Sequence, residues 1–363
     1  MRKLVVIGAA LAMLAGRLAA QCTMIVCCSA EGALPRVAVT DTGTAFVIAL
    51  NGLQAAIATS REPLRPEQLI FLSPGNYRDA AIASDGTYAL VVWVESGILF
   101  TTRIGPDTFD FSRNVIAANV GAAAPAVAWN GSEYLIAWSH ASNAILTSTV
   151  QRSGQPDGRI TLVQRNGEQV PRTISIASAG DDSLLVWDRV LYDVTCAFCA
   201  PLQAEVDSAF VDRDGHPRGG NSIVSATGND PHVAWSGRDY FVIWTAFPNR
   251  GLLGSVMSPD GTTLESVKVS GAPDYQARIA WNGTSFYVIW LHQVFAEHQV
   301  FYASMDEHGV LGTQTSFAGR GVFDFDIASR PNRPVVLVRG QNSRFVSPPS
   351  ACYLDTRRRG VRR

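Results

Sequence analysis

Lysine is almost missing from this chain: Lys3 and Lys268 are the only two in 363 residues, and arginine supplies the rest of the 30 basic side chains. That bias points to a GC-rich coding sequence and says little about a partner. Charge of either sign is scarce, at 17% of residues. If a leader carrying Arg2, Lys3 and Arg17 is removed, the 30 basic residues fall to 27 against 31 acidic ones, a charge near −4. Such a balance argues against nucleic-acid binding. No Pro/Ser-rich or charged linker divides the chain, so a length that would normally suggest two or three domains reads as one. Beyond the first twenty residues no apolar run is long enough to cross a bilayer. The 3.6-residue period of helical repeats is absent, as are G-x-S-x-G and H-E-x-x-H.

What is present is a repeat. Gly43, Gly86, Gly131, Gly180, Gly237 and Gly283, with Pro331 in a worn seventh copy, stand 43, 45, 49, 57, 46 and 48 residues apart. Seven positions after the glycine comes Trp93, Trp138, Trp187, Trp244 or Trp290, with Leu50 and Val338 in the end copies. Two positions before it comes Trp129, Trp235 or Trp281, so all eight tryptophans fall inside the pattern. In the third copy Pro125 to Trp129 is an apolar run ended by Asn130-Gly131, a dipeptide that favours the positive φ of a tight hairpin turn. Glu133 to Trp138 then returns with both faces apolar. A strand buried on both faces suits a blade packed between two others, because a two-layer sandwich buries only one face per sheet. Two more strands follow in each unit: Asn143 to Val150 and Arg159 to Val163, Leu252 to Met257 and Leu264 to Val269, Val300 to Met305 and Gly312 to Phe317. The expected fold is all-β, a seven-bladed β-propeller of four-stranded antiparallel blades. The tryptophans read as blade-to-blade core, because a residue repeated in nearly every unit among aliphatics is seldom a ligand platform.

Met1 to Ala20 reads as a secretory signal, with Arg2 and Lys3, the apolar stretch Leu4 to Ala15, and Leu18-Ala19-Ala20 before Gln21. Acylation of Cys22 is the lesser alternative, since Gln21 stands where that signal wants a small residue. Residues 21–356 form the propeller and 357–363 a basic tail. The expected location is therefore secreted, periplasmic or at the cell envelope, and the expected state a monomer. Six cysteines fit an oxidising compartment. The last copy lacks a convincing fourth strand, and Thr23 to Cys28 is a spare one. We therefore expect the N-terminal strand to close the ring, held by a disulfide from Cys22, Cys27 or Cys28, with Cys28 the candidate, to Cys352. Cys196 and Cys199 lie in the longest interval and are expected to form a local loop disulfide; no zinc ligands accompany them.

Ligands of propellers bind where the innermost strands begin. Four residues before the innermost alanines stand Asp79, Asp230 and Asp324, with Asp274 slightly further out and Arg78, His232, Arg278 and Asp326 nearby. These carboxylates would face one another around a channel mouth and offer ligands to a cation or to sugar hydroxyls; the plainer reading is that Asp satisfies free amides at strand starts. The candidate ligand-binding set is Asp79, Asp230, His232, Asp274, Arg278 and Asp324, with no catalytic or metal residue assigned and no cofactor. A structural calcium has no sequence support, since Asp212-Arg213-Asp214-Gly215 gives half of a D-x-D-x-D-G loop.

The copies PAVAWNGSEYLIAW, PHVAWSGRDYFVIW and ARIAWNGTSFYVIW resemble the W-N-G-x-x-Y-x-x-x-W repeat of an uncharacterised family of secreted bacterial propellers. The resemblance covers nearly all of the mature chain and implies the fold without an activity. Ser258-Pro259-Asp260-Gly261-Thr262-Thr263-Leu264 is similar to the Asp-box of sialidases but lacks a residue before the glycine and the closing tryptophan. The expected function is an exported, non-catalytic binding or scaffold module recognising a protein or glycan through channel-mouth loops. The rival is a glycosidase using Asp79, Asp230 and Asp324.

Overall fold

The computed structural model describes residues 22–24, 34–50, 55–61, 65–71, 75–106, 112–192, 201–248, 251–294, 297–316, 322–329, 335–341 and 350–354. Every described strand pairs antiparallel, in seven four-stranded sheets, and no helix occurs among the described residues. The arrangement is a β-propeller of four-stranded blades. The innermost strands are Leu34–Val39, Tyr77–Ser84, Ala126–Trp129, Val170–Ser178, Gly228–Trp235, Asp274–Trp281 and Val322–Ala328. Each touches the next in chain order, and the last touches the first.

The repeat glycine is the turn between the innermost strand and the second. Its φ lies between 94° and 97° in all six glycine copies, a region open to glycine and strained for other residues. Asn130 does not share that turn conformation, contrary to the expectation for Asn-Gly. It caps the turn instead: its Oδ1 accepts the N–H of Ser132 at 3.0 Å and of Glu133 at 2.8 Å. Asn282 repeats this, and Asp85 and Ser236 do the same with a carboxylate and a hydroxyl.

In the second to sixth sheets the second strand is the most buried, and its two faces feed different cores. In Glu133–Ser139, Tyr134, Ile136 and Trp138 pack with Leu90, Val92 and Val94 of the preceding sheet, whereas Leu135 and Ala137 pack with Leu185 and Trp187 of the following one. The later tryptophan of each copy is therefore core: Trp93, Trp138, Trp187 and Trp290 are wholly buried and Trp244 nearly so. The earlier tryptophan is only half-buried. Trp129, Trp235 and Trp281 each lie opposite an aromatic across the hairpin, with ring centroids 4.8, 4.6 and 4.7 Å from Tyr134, Tyr240 and Phe286.

Most outer strands shift by one to three residues from the expected bounds, because their half-exposed pattern marks ends poorly; the outermost strand of the sixth sheet shortens to Thr315–Ser316. The fourth strand of the last sheet is N-terminal, as Cys22–Met24, antiparallel to Ser350–Leu354. The register sets Cys22, not Cys28, opposite Cys352. Cys27, Cys28, Cys196 and Cys199 lie outside the described residues, as do the leader and the basic tail.

Candidate functional site

The innermost strands surround a central cavity of about 390 Å³, within the usual range of small-ligand sites. Two repeat positions supply most of its polar lining. Seven residues before the repeat glycine, or before Pro331 in the seventh copy, stand Arg36, Ala124, Thr173, Asp230, Gln276 and Asp324; five before it stand Ala81, Ala126, Ser175, His232, Arg278 and Asp326. The two-residue step puts both positions on the channel face of a strand. Bulges shift the register at this point between Tyr77 and Ala80, Pro171 and Ile174, Asn229 and His232, Tyr275 and Arg278, and Val322 and Asp324. A bulge turns a strand sharply and frees backbone donors beside it.

Two charged clusters face the cavity. In the first, Arg36 Nη1 donates to Asp324 Oδ2 at 2.6 Å and to the Pro35 carbonyl at 2.7 Å, while Asp326 Oδ2 accepts Val37 N–H at 2.9 Å. Burial works against the Arg36 charge, but Asp324 and Asp326 outweigh it and hold the guanidinium protonated beyond ordinary arginine. Burial pushes Asp326 up, against the pull of Arg36. Asp79 stands beside this cluster and does not line the cavity; it accepts Arg78 Nε–H at 2.7 Å, and burial raises it despite Arg78 and Arg36.

In the second cluster, Arg278 Nη1 lies 2.5 Å from His232 Nε2 and 3.4 and 3.3 Å from the two Asp230 oxygens. Thr173 Oγ1 donates to Asp230 Oδ1 at 3.2 Å. Burial and then Arg278 push His232 down to about 4, so the imidazole is neutral at pH 7. Since Arg278 donates into Nε2, the ring proton sits on Nδ1, and the 3.3 Å approach of Nε2 to Asp230 is not a donated bond. Burial would raise Asp230, yet Arg278 and the polar groups around it outweigh this and hold its carboxyl well below the usual carboxylate range.

The expected ring of mutually facing carboxylates is thus not what forms. Asp230 and Asp324 each meet an arginine, and Asp79 meets Arg78 outside the cavity. Asp274 is a correction: it stands nine residues before Gly283, so the bulge carries it off the channel face and Gln276 takes the lining position. Asp274 is buried, with Oδ1 at 2.5 Å from His292 Nδ1 on the neighbouring strand. Among the described residues no group of three or more His, Cys, Asp or Glu could hold a metal ion.

Sequence reading passed over Arg36, Arg172, Gln276 and Asp188. Arg36 and Gln276 could have been found by counting seven back from the repeat glycine; Arg172 stands eight before Gly180 and falls outside that count. Asp188 directly follows Trp187 and is 2% exposed. Its Oδ1 accepts the N–H of Arg172 at 2.8 Å and of Thr173 at 2.7 Å, and its Oδ2 accepts Asp230 N–H from the next sheet at 3.1 Å. Burial, opposed by these N–H groups, pushes it up to about 6. Thr245 after Trp244 does the equivalent, its Oγ1 accepting Gln276 N–H at 3.0 Å, and Ser139 after Trp138 accepts Ala123 N–H at 3.0 Å. Asp188 and Thr245, each directly after a core tryptophan, thus cap residues at bulges, while Ser139 caps an innermost strand that has none. Asp230 and Gln276, the capped residues, both have a φ of 52°.

No protein-family model and no curated protein matches the chain. Among solved structures, Kuenenia stuttgartiensis hydrazine synthase aligns with a TM-score of 0.58 at 13% identity, over 91% of this chain and 97% of that one. A prolyl endopeptidase aligns with a TM-score of 0.57 at 15% identity, over 90% of this chain and 48% of that one, so this chain spans about half its length. A subtype N10 neuraminidase-like protein of A/little yellow-shouldered bat/Guatemala/060/2010 aligns with a TM-score of 0.51 at 10% identity, over 77% of this chain and 95% of that one. At such identities the likeness carries the β-propeller fold and none of the neighbours' activities.

Proposed function

We propose that this chain is an exported, non-catalytic binding module, a seven-bladed ring closed by its N-terminal strand, that holds a small polar ligand at the channel mouth. Export rests on the leader pattern of Met1 to Ala20. Closure rests on the pairing of Cys22–Met24 with Ser350–Leu354 and on the Arg36–Asp324 ion pair between the first and last sheets.

The observation that carries the binding reading is the balance of the cavity's charges. Three arginines (Arg36, Arg172 and Arg278) and three aspartates (Asp230, Asp324 and Asp326) line it, so the formal charges cancel. Opposite them the wall is small and apolar, formed by Ala80, Ala81, Ala124, Pro125 and Ala126. Charge-balanced polar groups facing an apolar wall suit recognition of a hydroxylated ligand with one apolar face. Hydrolysis of a glycoside requires one carboxyl that gives up a proton near neutrality and a second that acts as nucleophile or base. Of the three aspartates of the glycosidase reading, Asp230 is held ionised, Asp324 is paired with Arg36 and Asp79 lies outside the cavity lining, which supports binding over hydrolysis.

The test is a binding screen of the mature protein against glycan and peptide arrays, with turnover assays on each hit. Binding lost in Arg278→Gln, with no turnover, is the expected result. Turnover abolished by Asp230→Asn and Asp324→Asn would replace it with the hydrolase.

A further inference from the structure

A second recess of about 360 Å³ opens beside the central cavity, between the fifth and sixth sheets. Asp230 and Gln276 line both spaces. These two residues are also the capped, left-handed ones at the bulges, so the strained backbone forms the divide between cavity and recess. Beyond the divide the recess is lined by Asn229 and Thr245 and by the apolar surfaces of Pro201, Phe247, Pro248 and Tyr275. The Tyr275 hydroxyl lies 3.0 Å from His298 Nδ1, which fixes the tilt of its ring.

Resting on the binding reading above, we propose that cavity and recess form one continuous site for a neutral oligosaccharide, with the terminal sugar in the cavity and the next sugar against Phe247 and Tyr275. Three observations select this ligand class. The cavity charges cancel, so a polyanion gains no net attraction. The backbone donors that the bulges release at Asp230 and Gln276 are consumed by Asp188 and Thr245, which removes the ladder an extended peptide would add to. What remains is side-chain carboxylate, guanidinium, amide and hydroxyl for sugar hydroxyls, with ring faces for the C–H side of a pyranose.

The experiment is calorimetric titration of the mature protein with neutral hexose and N-acetylhexosamine chains of one to four units taken from array hits, alongside acidic chains and peptides. Affinity should rise at least tenfold from one unit to two. Phe247→Ala should erase that gain while leaving one-unit affinity within twofold, and Arg278→Ala, checked against Arg278→Gln for folding, should lose both. A gain with length that survives in Phe247→Ala overturns the continuous site and leaves the cavity reading standing, as does the absence of any gain. Binding unchanged in both Arg278 variants overturns the cavity reading itself. Preference for acidic chains or peptides overturns the ligand class, and no binding to any saccharide overturns the proposal.

Discussion

Asp188 and His232 answer pH in opposite senses although they lie in one network. The folded Asp188 titrates at about 6, above its unfolded value near 3.8, so its contribution is fully present below the unfolded pKa and is lost as pH rises through 6. The folded His232 titrates at about 4, below 6.5, so its contribution is present above 6.5 and is lost as pH falls through 4. Between pH 7 and 5 the two nearly offset one another. Thermal unfolding should therefore show a nearly flat Tm over that range in the wild type. It should fall in Asp188→Asn and rise in His232→Gln, each by the equivalent of about 1–2 kcal/mol. Parallel pH profiles for both variants would contradict the assignment. Asp188→Ala leaves the N–H groups of Arg172, Thr173 and Asp230 without an acceptor and should cost more, about 3 kcal/mol, read from urea unfolding.

The two tryptophans of each repeat do different jobs at the scale of the strand. Trp187 fills the space between sheets, and Trp187→Ala should destabilise by about 3–5 kcal/mol. Trp235 lies half-buried against Tyr240 across its hairpin, and Trp235→Ala should cost no more than about half as much, by the same denaturant titration. Equal losses would mean that both are core. Gly228 opens the innermost strand of the fifth sheet, where a Cβ would sit 2.4 Å from Trp244 Cδ1. Gly228→Ala should therefore cost about 1–3 kcal/mol through displacement of that indole. Strand identity and hairpin turns were legible because alternation and positive-φ glycines are local. Bulges were not, and they separate Asp274 from the channel face: inserted residues break the count from a strand end.

Across the whole molecule, the first and last sheets meet through Arg36 and Asp324 and through the N-terminal strand. With Cys22 opposite Cys352, a disulfide there would enclose nearly the entire chain and stabilise it by about 5 kcal/mol in the chain-entropy picture. Peptide mapping of the unreduced protein should recover Cys22 joined to Cys352, and both Cys22→Ser and reduction should lower the Tm. Recovery of Cys28 joined to Cys352 would refute that pairing.

By itself the sequence determined the propeller class, the four-strand unit and the burial of the later tryptophans, because each follows from spacing within one repeat. It also located Asp230, His232, Arg278 and Asp324 near one another in the pattern. Only the tertiary structure decided what they are to each other. Arg36 meets Asp324 and Arg278 meets Asp230 across sheet boundaries, at sequence separations of 288 and 48 residues. Whether a carboxylate is a free ligand or half of an ion pair depends on that partner and on the water excluded around both, and neither is a property of the local chain.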